Sequence, residues 1–384
     1  MFKKKIWQIA VCCLATALLT VMVVVGAEAF LLNRLTGSAS ESVRFLRTMS
    51  LLKSNFNGEV DNHQLFDGAI KGMVEAVGDP YTVYLNQKDY KQLSEMTGGS
   101  FGGIGIVFGK RGNDYVVISA LPDNPGAEAG IKSGDIITAI DDKPTREMNM
   151  EQVANKIRGK QGTQVQLELK DKEGKLRKVT VTRAEIKNPS VGGTLLPDSK
   201  IGYIRIAVFN ENTGADFAKK YQELEQQGMQ ALILDLRDNP GGIFDAGVEV
   251  AGMLVPKGPI VSVEDKNGNK YVESSKLEQV KYPLAVLVNH GSASASEIVA
   301  GAIKDTKSGK LFGVKTFGKG SVQSVYRLDG TTAVKITVAK YYTPSGVCIN
   351  NVGIEPDVQV ELPEGATVDV QLQAAEKYLR EQVK

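Results

Sequence analysis

Histidine is almost missing from this 384-residue chain, which holds only His63 and His290. Cysteine is nearly as scarce: Cys12 and Cys13 adjoin one another in an N-terminal apolar run, and Cys348 alone lies in the body. Neither a disulfide framework nor a zinc cluster can be assembled from three such cysteines. An excess of one charge is also lacking. Lys+Arg 46 against Asp+Glu 44 leaves a net charge of +2, which gives no electrostatic footprint for nucleic acid. There is no internal repeat and no low-complexity tract. The remaining composition, 42% hydrophobic and 23% charged, is ordinary for a globular protein, and the length allows two or three domains.

The N-terminus bears on the compartment. Lys3, Lys4 and Lys5 precede a nearly uninterrupted apolar run from Ile6 to Ala27. A run of that length spans a bilayer, and the lysines favour an inside N-terminus with the body outside. The stretch AEA at Ala27–Ala29 resembles a cleavage site, but the run exceeds a usual signal-peptide core. An uncleaved anchor is therefore the favoured expectation, with a secreted body as the alternative.

Beyond a linker at Leu35–Ser40, the apolar spacing predicts helices, one of them capped by Asp61 with a stripe of Leu65, Ala69, Met73 and Val77. From about residue 98 short β-branched strands alternate with turn residues. They are expected over Gly103–Gly109, Asp114–Ala120, Asp135–Ile140, Thr163–Lys170 and Arg177–Arg183, with a helix over Met150–Arg158. From Lys200 onward strands and helices alternate, which predicts an α/β core with partly parallel strands. A hairpin turning at Asp329-Gly330 and a C-terminal helix carrying Val368, Leu372, Ala375 and Leu379 complete the pattern.

The chemistry concentrates in VNHGSASASEIVAGAIKD, from Val288 to Asp305, where Ser292, Ser294 and Ser296 stand between an apolar strand and a helix. A serine nucleophile needs a base. His290 is too close in sequence to reach Ser294 comfortably, and His63 reads as a surface helix residue. Lysine is the known substitute. Lys319 stands between glycines in GVKTFGKGSVQ, ahead of a β-branched strand that can bury its stem. A surface lysine in a glycine turn is the competing reading. The segment also fits G-x-x-x-x-G-K, but Gly320 replaces the Ser or Thr of a phosphate-binding loop and a strand follows where a helix is needed. SLLK at Ser50–Lys53 matches S-x-x-K without its partner motifs and is a chance match. NPGG at Asn239–Gly242 forms a second strand–turn–helix junction, and two such junctions side by side can supply backbone donors for an oxyanion.

Taken together, GSASASE, TFGKGSVQ, DLRDNPGG, YYTPSG with GIEPD, LFDGAIKGM with DPYTVYL, and GGSFGGIGI resemble the carboxyl-terminal processing proteases, the S41 family of serine peptidases. The resemblance runs from about residue 40 to the end. It implies an α+β multidomain chain: a transmembrane segment (1–34), a helical N-terminal region (40–97), a PDZ domain (98–185), and an α/β protease core of the ClpP/crotonase-like kind (186–384) ending in a helix.

Carried over by position, the resemblance makes Ser294 the nucleophile, Lys319 its base and Gln323 the residue that orients the lysine, with positions i and i+4 of a strand sharing a face. Ala295 N–H is then one oxyanion donor, and Gly241 or Gly242 the other; Pro240 has no N–H. Ser292 and Ser296 become packing and cap residues. The peptide-carboxylate loop falls on Phe101, Gly102, Gly103, Ile104 and Gly105, with Ile104 and Ile106 lining a side-chain pocket. Arg158 is a candidate link between the PDZ domain and the protease, or else a solvated helix-end arginine. The implied activity is endoproteolysis of exported proteins with exposed C-terminal tails, without metal or cofactor. The N-terminal helices are candidates for a homodimer contact. A non-catalytic PDZ adaptor on a protease scaffold and a small-ester acyl hydrolase are the rival expectations.

Overall fold

The computed structural model describes residues 2–187, 189–363 and 365–383, and the side chains at 2–6, 8–12 and 32 lie outside the description. Lys3, Lys4, Lys5 and Cys12 therefore have a described backbone only. The chain forms two units, Met1–Gly78 and Asp79–Lys384.

The first unit contains α1 (Phe2–Thr36), α2 (Ala39–Asn55) and α3 (Asn62–Glu75). Within α1, Cys13–Thr36 is long and apolar enough to cross a membrane by length and composition, which a signal sequence would also satisfy. Asp61 caps α3 as expected, accepting the His63 N–H at 2.8 Å. The expected stripe is only partly covered: Leu65 and Ala69 are half-buried, Met73 is exposed, Val77 lies exposed beyond the helix, and Val74 is the buried residue of α3. His63 is a surface residue, as read from the sequence.

The second unit opens with β1 (Val83–Leu85) and α4 (Gln87–Gly98). A compact β-rich body follows. It contains β2 (Ser100–Gly103), β3 (Ile106–Arg111), β4 (Asp114–Ala120), the single turn α5 (Pro125–Glu128), β5 (Ile136–Ile140) and β6 (Lys143–Pro144). It continues with α6 (Met150–Ile157), β7 (Gln164–Lys170), β8 (Leu176–Thr182) and β9 (Ala184–Lys187). Its main sheet runs β3-β4-β5-β7-β8, so β3 is an edge strand with one side unpaired. The alternation in QVQLELK explains why one face of β7 is buried: Val165, Leu167 and Leu169 point into a core with Tyr115, Ile137 and Val153.

The remaining elements are β10 (Val191–Leu195), β11 (Ile201–Ile206), α7 (Thr213–Gln226), β12 (Ala231–Asp235), α8 (Phe244–Gly252), β13 (Gly258–Asp265) and β14 (Lys270–Ser275). Then come β15 (Leu284–Val288), α9 (Ala295–Asp305), β16 (Lys310–Gly313), β17 (Ser321–Arg327), β18 (Ala333–Tyr342), β19 (Val358–Gln359) and α10 (Val370–Gln382). One sheet runs β10-β11-β12-β15-β16-β19, parallel from β11 to β19 with an antiparallel edge at β10. Its central strands ALILD and LAVLV are buried at every residue, as continuous apolar runs in a covered parallel sheet should be.

The second sheet is built on β18. One edge of that strand pairs with β1 and then β13, and the other pairs with β17. Here the structure departs from the sequence reading: residues 83–85, expected in a helical region, form a strand, and the hairpin of β13 and β14 had no sequence signal assigned to it.

Candidate active site

Adjacent parallel strands β12 and β15 end side by side, and each turns into a helix there. The C-terminal edge of such a sheet is where ligands bind in open α/β folds. The two turns are tied together by serines and asparagine. Ser292, fully buried, donates its hydroxyl to Leu236 C=O at 2.7 Å; Ser296, also buried, donates to Asn239 C=O at 2.9 Å; Ala293 N–H meets that same Asn239 carbonyl at 3.0 Å. These outer serines hold the junction, in agreement with the packing role expected for them, and leave Ser294 partly open between them.

Ser294 adopts φ 55° and ψ −117°, a conformation that a residue with a Cβ takes only when its surroundings impose it, at a cost of about 1–3 kcal/mol. Glycine alone fits beside it: a Cβ on Gly241 would lie 2.7 Å from Ser294 Cβ and 2.8 Å from Ala295 N. Gly241 donates its N–H to Asn239 Oδ1 at 2.9 Å. Gly242 is exposed, and among the described residues no acceptor takes its N–H or that of Ala295, the first residue of α9.

Glu297 is a residue the sequence reading missed. It is fully buried on the first turn of α9, yet its carboxylate has four donors. Oε1 accepts from Thr316 Oγ1 at 2.6 Å and Gly318 N–H at 2.8 Å; Oε2 accepts from Ser294 N–H at 3.0 Å and Lys319 N–H at 2.8 Å. Burial still pushes this carboxyl above its ordinary range, with the four donors acting against that shift. The spacing Ser294-x-x-Glu297 is that of a capping box, the one signal that pointed to it. Tyr341, buried behind the turn, bonds through its hydroxyl to the carbonyls of Ser294 (3.0 Å) and Lys319. The Ser294 and Lys319 backbones are thus fixed to one another through two side chains.

Ser294 and Lys319 line one cleft of about 740 Å³, together with Gly241, Gly242 and Gln323. Neither histidine lines it. Lys319 is half-buried, and burial, followed by the charge of Lys335, lowers its ammonium pKa, while Glu297 and Asp79 act in the opposite sense. Its Nζ stands 4.9 Å from the centre of the Tyr81 ring, and among the described residues no hydrogen bond joins it to Ser294 Oγ. Gln323 shares the cleft, and among the described residues no hydrogen bond joins it to Lys319. Lys319 lies ahead of β17, and Lys319, Ser321, Gln323, Val325 and Arg327 all line the cleft, as a period of two predicts; the register shift opposite Val322/Gln323 puts its extra residue, Val338, on β18. The Gln323 amide instead donates to Ser321 Oγ at 2.8 Å and Ser321 C=O at 3.0 Å.

A second cluster unseen in the sequence underlies the turn. Arg237 forks onto the fully buried Asp235 (2.6 and 2.9 Å) and onto Asp369 (2.8 and 2.9 Å), the residue that caps α10. The C-terminal helix is thereby fastened beneath the Asn239–Gly242 turn.

The expected peptide-carboxylate loop is equally specific. Phe101, Gly102 and Gly103 lie on β2, paired with β9. A Cβ on Gly102 would sit 1.9 Å from Gly159 O, and Gly105 has φ +71° with Asn124 against it. Among the described residues no acceptor takes the N–H of Ile104 or Gly105. Ile106 begins the free edge strand β3 and is partly buried, whereas Ile104 is buried in the domain core at 1% exposure instead of lining an open pocket. Arg158 ends α6 with its guanidinium 4.7 Å from the Phe101 ring centre and 3.9 Å from Glu95 Oε2 on α4, the helix whose Tyr90, Leu93 and Thr97 form one wall of the cleft. Lys88 and Glu151 pair at 2.5 Å between the same two helices.

Residues 200–360 match the model of peptidase family S41, residues 116–171 that of the PDZ domain, and residues 33–89 that of the N-terminal domain of the activating protease CtpB. The carboxy-terminal processing protease CtpA of Bacillus subtilis (strain 168) is 38% identical over 317 residues, covering 82% of this chain and 68% of the relative. The chloroplastic C-terminal processing peptidase of Tetradesmus obliquus is 37% identical over 327 residues, covering 80% and 70%. A solved photosystem II D1 C-terminal processing protease is 35% identical over 87% of this chain and 90% of its own, with a TM-score of 0.48. The chain belongs to the carboxy-terminal processing proteases, serine-type peptidases of family S41 with a PDZ domain.

Proposed function

We propose that this protease cuts peptide bonds with a Ser294–Lys319 dyad and selects substrates by an exposed, apolar C-terminal tail. The observation that carries the reading is that Ser294 and Lys319 open into one cleft while Glu297 and Tyr341 bind their backbones together. Lys319 turns from the face of Tyr81 toward Ser294 Oγ and, when neutral, takes the hydroxyl proton. Ser294 attacks the peptide carbonyl, and the oxyanion rests on the N–H groups of Ala295 and Gly242. Gly242 is preferred over Gly241 because the Gly241 N–H is already given to Asn239. Protonated Lys319 returns its proton to the leaving amine, and the neutral amine then activates the water that hydrolyses the acyl-enzyme. Gln323 joins the lysine once its amide leaves Ser321.

The tail adds a strand to the free edge of β3, with its terminal carboxylate on the Ile104 and Gly105 N–H groups. Occupancy of that loop is felt at the cleft through Arg158, which touches both Phe101 and Glu95. The apolar cleft residues Leu93, Met96, Phe244 and Val325 suit apolar side chains beside the cut. The N-terminal helix anchors the chain with the body on the extracytoplasmic side, so that the substrates are exported proteins. The test is cleavage of a protein ending in a disordered apolar tail, compared with the same protein carrying a C-terminal amide. The amide is expected to slow processing, and equal rates would remove the carboxylate from the account.

A further inference from the structure

The cleft holds a second lysine that the dyad does not use. Lys335 lies on β18, directly opposite Val325 of β17 and Val83 of β1. Opposed residues of an antiparallel pair share a face, and this face, with Gln323, Val325, Arg327 and Lys335, forms a wall of the cleft that contains Ser294 and Lys319. Lys335 is half-buried, and among the described residues it has neither a hydrogen bond nor an ion pair. Lys319 likewise has no anionic partner at hydrogen-bond distance. The nearby buried carboxylate, Glu297, spends both oxygens on four N–H and O–H donors. Two ammonium groups thus face one partly dry cleft without a bonded counter-ion, and like charges so placed disfavour one another's protonation.

We propose that Lys335 is a positioning residue of the reaction, whose positive charge acts through Lys319 to hold that side chain in its neutral, proton-accepting form. The inference rests on the dyad reading above. A lysine base is of use near neutral pH only when something removes its proton, and a neighbouring cation is one recognised way to do so. Burial lowers both ammonium groups, and Lys335 is the charge that adds to the effect of burial at Lys319. Two interacting lysines shed their protons in steps that belong to the pair.

The net shift at Lys319 is downward although two carboxylates oppose it. Asp79 and Glu297 favour its charged form, and Asp79, which accepts the Thr82 hydroxyl at 2.6 Å, stays anionic. Tyr81 and Tyr341 both have their phenol pKa raised and stay neutral. Arg327, farther along the same face, rests over the Tyr90 ring at 5.9 Å, and Glu211 lies on another part of the cleft wall.

The experiment uses the full chain in detergent micelles and follows the pH dependence of two readouts. One is kcat/KM on a protein with a disordered apolar tail. The other is the rate at which a fluorophosphonate labels Ser294, which needs the base but no tail. Lys335→Met keeps the apolar stem and removes the charge, whereas Lys335→Arg keeps a charge that does not titrate. In Lys335→Met the acid limb of both profiles is expected to move to higher pH, so that the ratio of the rate at pH 9 to that at pH 6.5 rises about fivefold. Lys335→Arg is expected to keep the parent's limb whatever its absolute rate. A Lys335→Met variant that is slower at every pH with an unmoved limb overturns the inference, as does an Arg variant that shifts as the Met variant does. Lys319→Ala separates the two readings. If it cleaves like the parent, the dyad itself is wrong; if it is inert while Lys335→Met keeps the parent's limb, only the role given to Lys335 is lost.

Discussion

Glu297 Oε2 accepts the backbone N–H of Lys319 at 2.8 Å. The same oxygen accepts the N–H of Ser294 at 3.0 Å, so one buried atom spans the turn that carries the hydroxyl and the loop that carries the amine. Their spacing is therefore set by a side chain that touches neither reacting atom. Glu297→Ala leaves three backbone N–H groups and one hydroxyl without their acceptor and is expected to lower stability by about 3 kcal/mol. Glu297→Gln keeps the volume but turns an NH₂ toward donors. Its expected signature is a kcat about 100-fold lower with KM little changed, since small misplacements of a catalytic group cost that much. Steady-state kinetics beside thermal unfolding check both, and unchanged kcat in Glu297→Gln would contradict the positioning role.

Activity should rise with pH through the ionisation of Lys319. The sign follows from its role: only the neutral amine accepts the serine proton, and burial with Lys335 nearby brings that form to lower pH than an ordinary lysine allows. Lys319→Arg, permanently charged, is expected to be inert across the whole range. Cleavage by that variant at high pH would exclude lysine as the base.

Arg237→Ala removes the charged partner of Asp235, which has no solvent contact and keeps only the Tyr203 hydroxyl and a backbone N–H, and of Asp369 at the start of α10. Leaving a buried carboxylate unpaired costs about 3–5 kcal/mol. Denaturant unfolding is expected to reveal that loss, together with weakened protection of α10 from hydrogen exchange. A loss under about 1 kcal/mol would mean that the cluster contributes no more than a surface pair does.

In the PDZ domain, Gly105→Ala sets a methyl carbon 2.3 Å from Asn124 Cβ at a φ of +71°. The carboxylate loop cannot keep its shape under that change. Fluorescence anisotropy with a labelled tail peptide, on the Ser294→Ala background to prevent turnover, is expected to show Kd raised at least about tenfold, on the order of one lost charge-assisted hydrogen-bond set. Unaltered binding would place tail recognition elsewhere.

How far the sequence could be read depended on whether the deciding partner was local. The strands β7 and β8 were legible because each alternates along its own length. Strand β1 was not, because three residues form it only by pairing with β18, about 250 positions away. The β13–β14 hairpin was missed because Glu264, Asp265, Lys266 and Lys270 interrupt its apolar pattern. Ser294 and Lys319 were approachable because glycines and small residues mark a turn and a loop around them. Glu297 was passed over because an acid in the first turn of a helix is an ordinary dipole partner. What distinguishes it, complete burial among four donors, is tertiary. Gln323 was placed on one face with Lys319 by a period of two, which the cleft wall keeps, but periodicity says nothing of where its amide bonds, and it donates to Ser321.

The central claim is that Ser294 and Lys319 act together, and the most direct measurement is release of a disordered apolar tail from a test protein by the full chain, set beside Ser294→Ala and Lys319→Ala. The account expects the parent to cut and both variants to stay folded while losing activity on the order of 10⁴-fold or more. Cleavage by Lys319→Ala near the parent's rate, or by Ser294→Ala at all comparably, would contradict it.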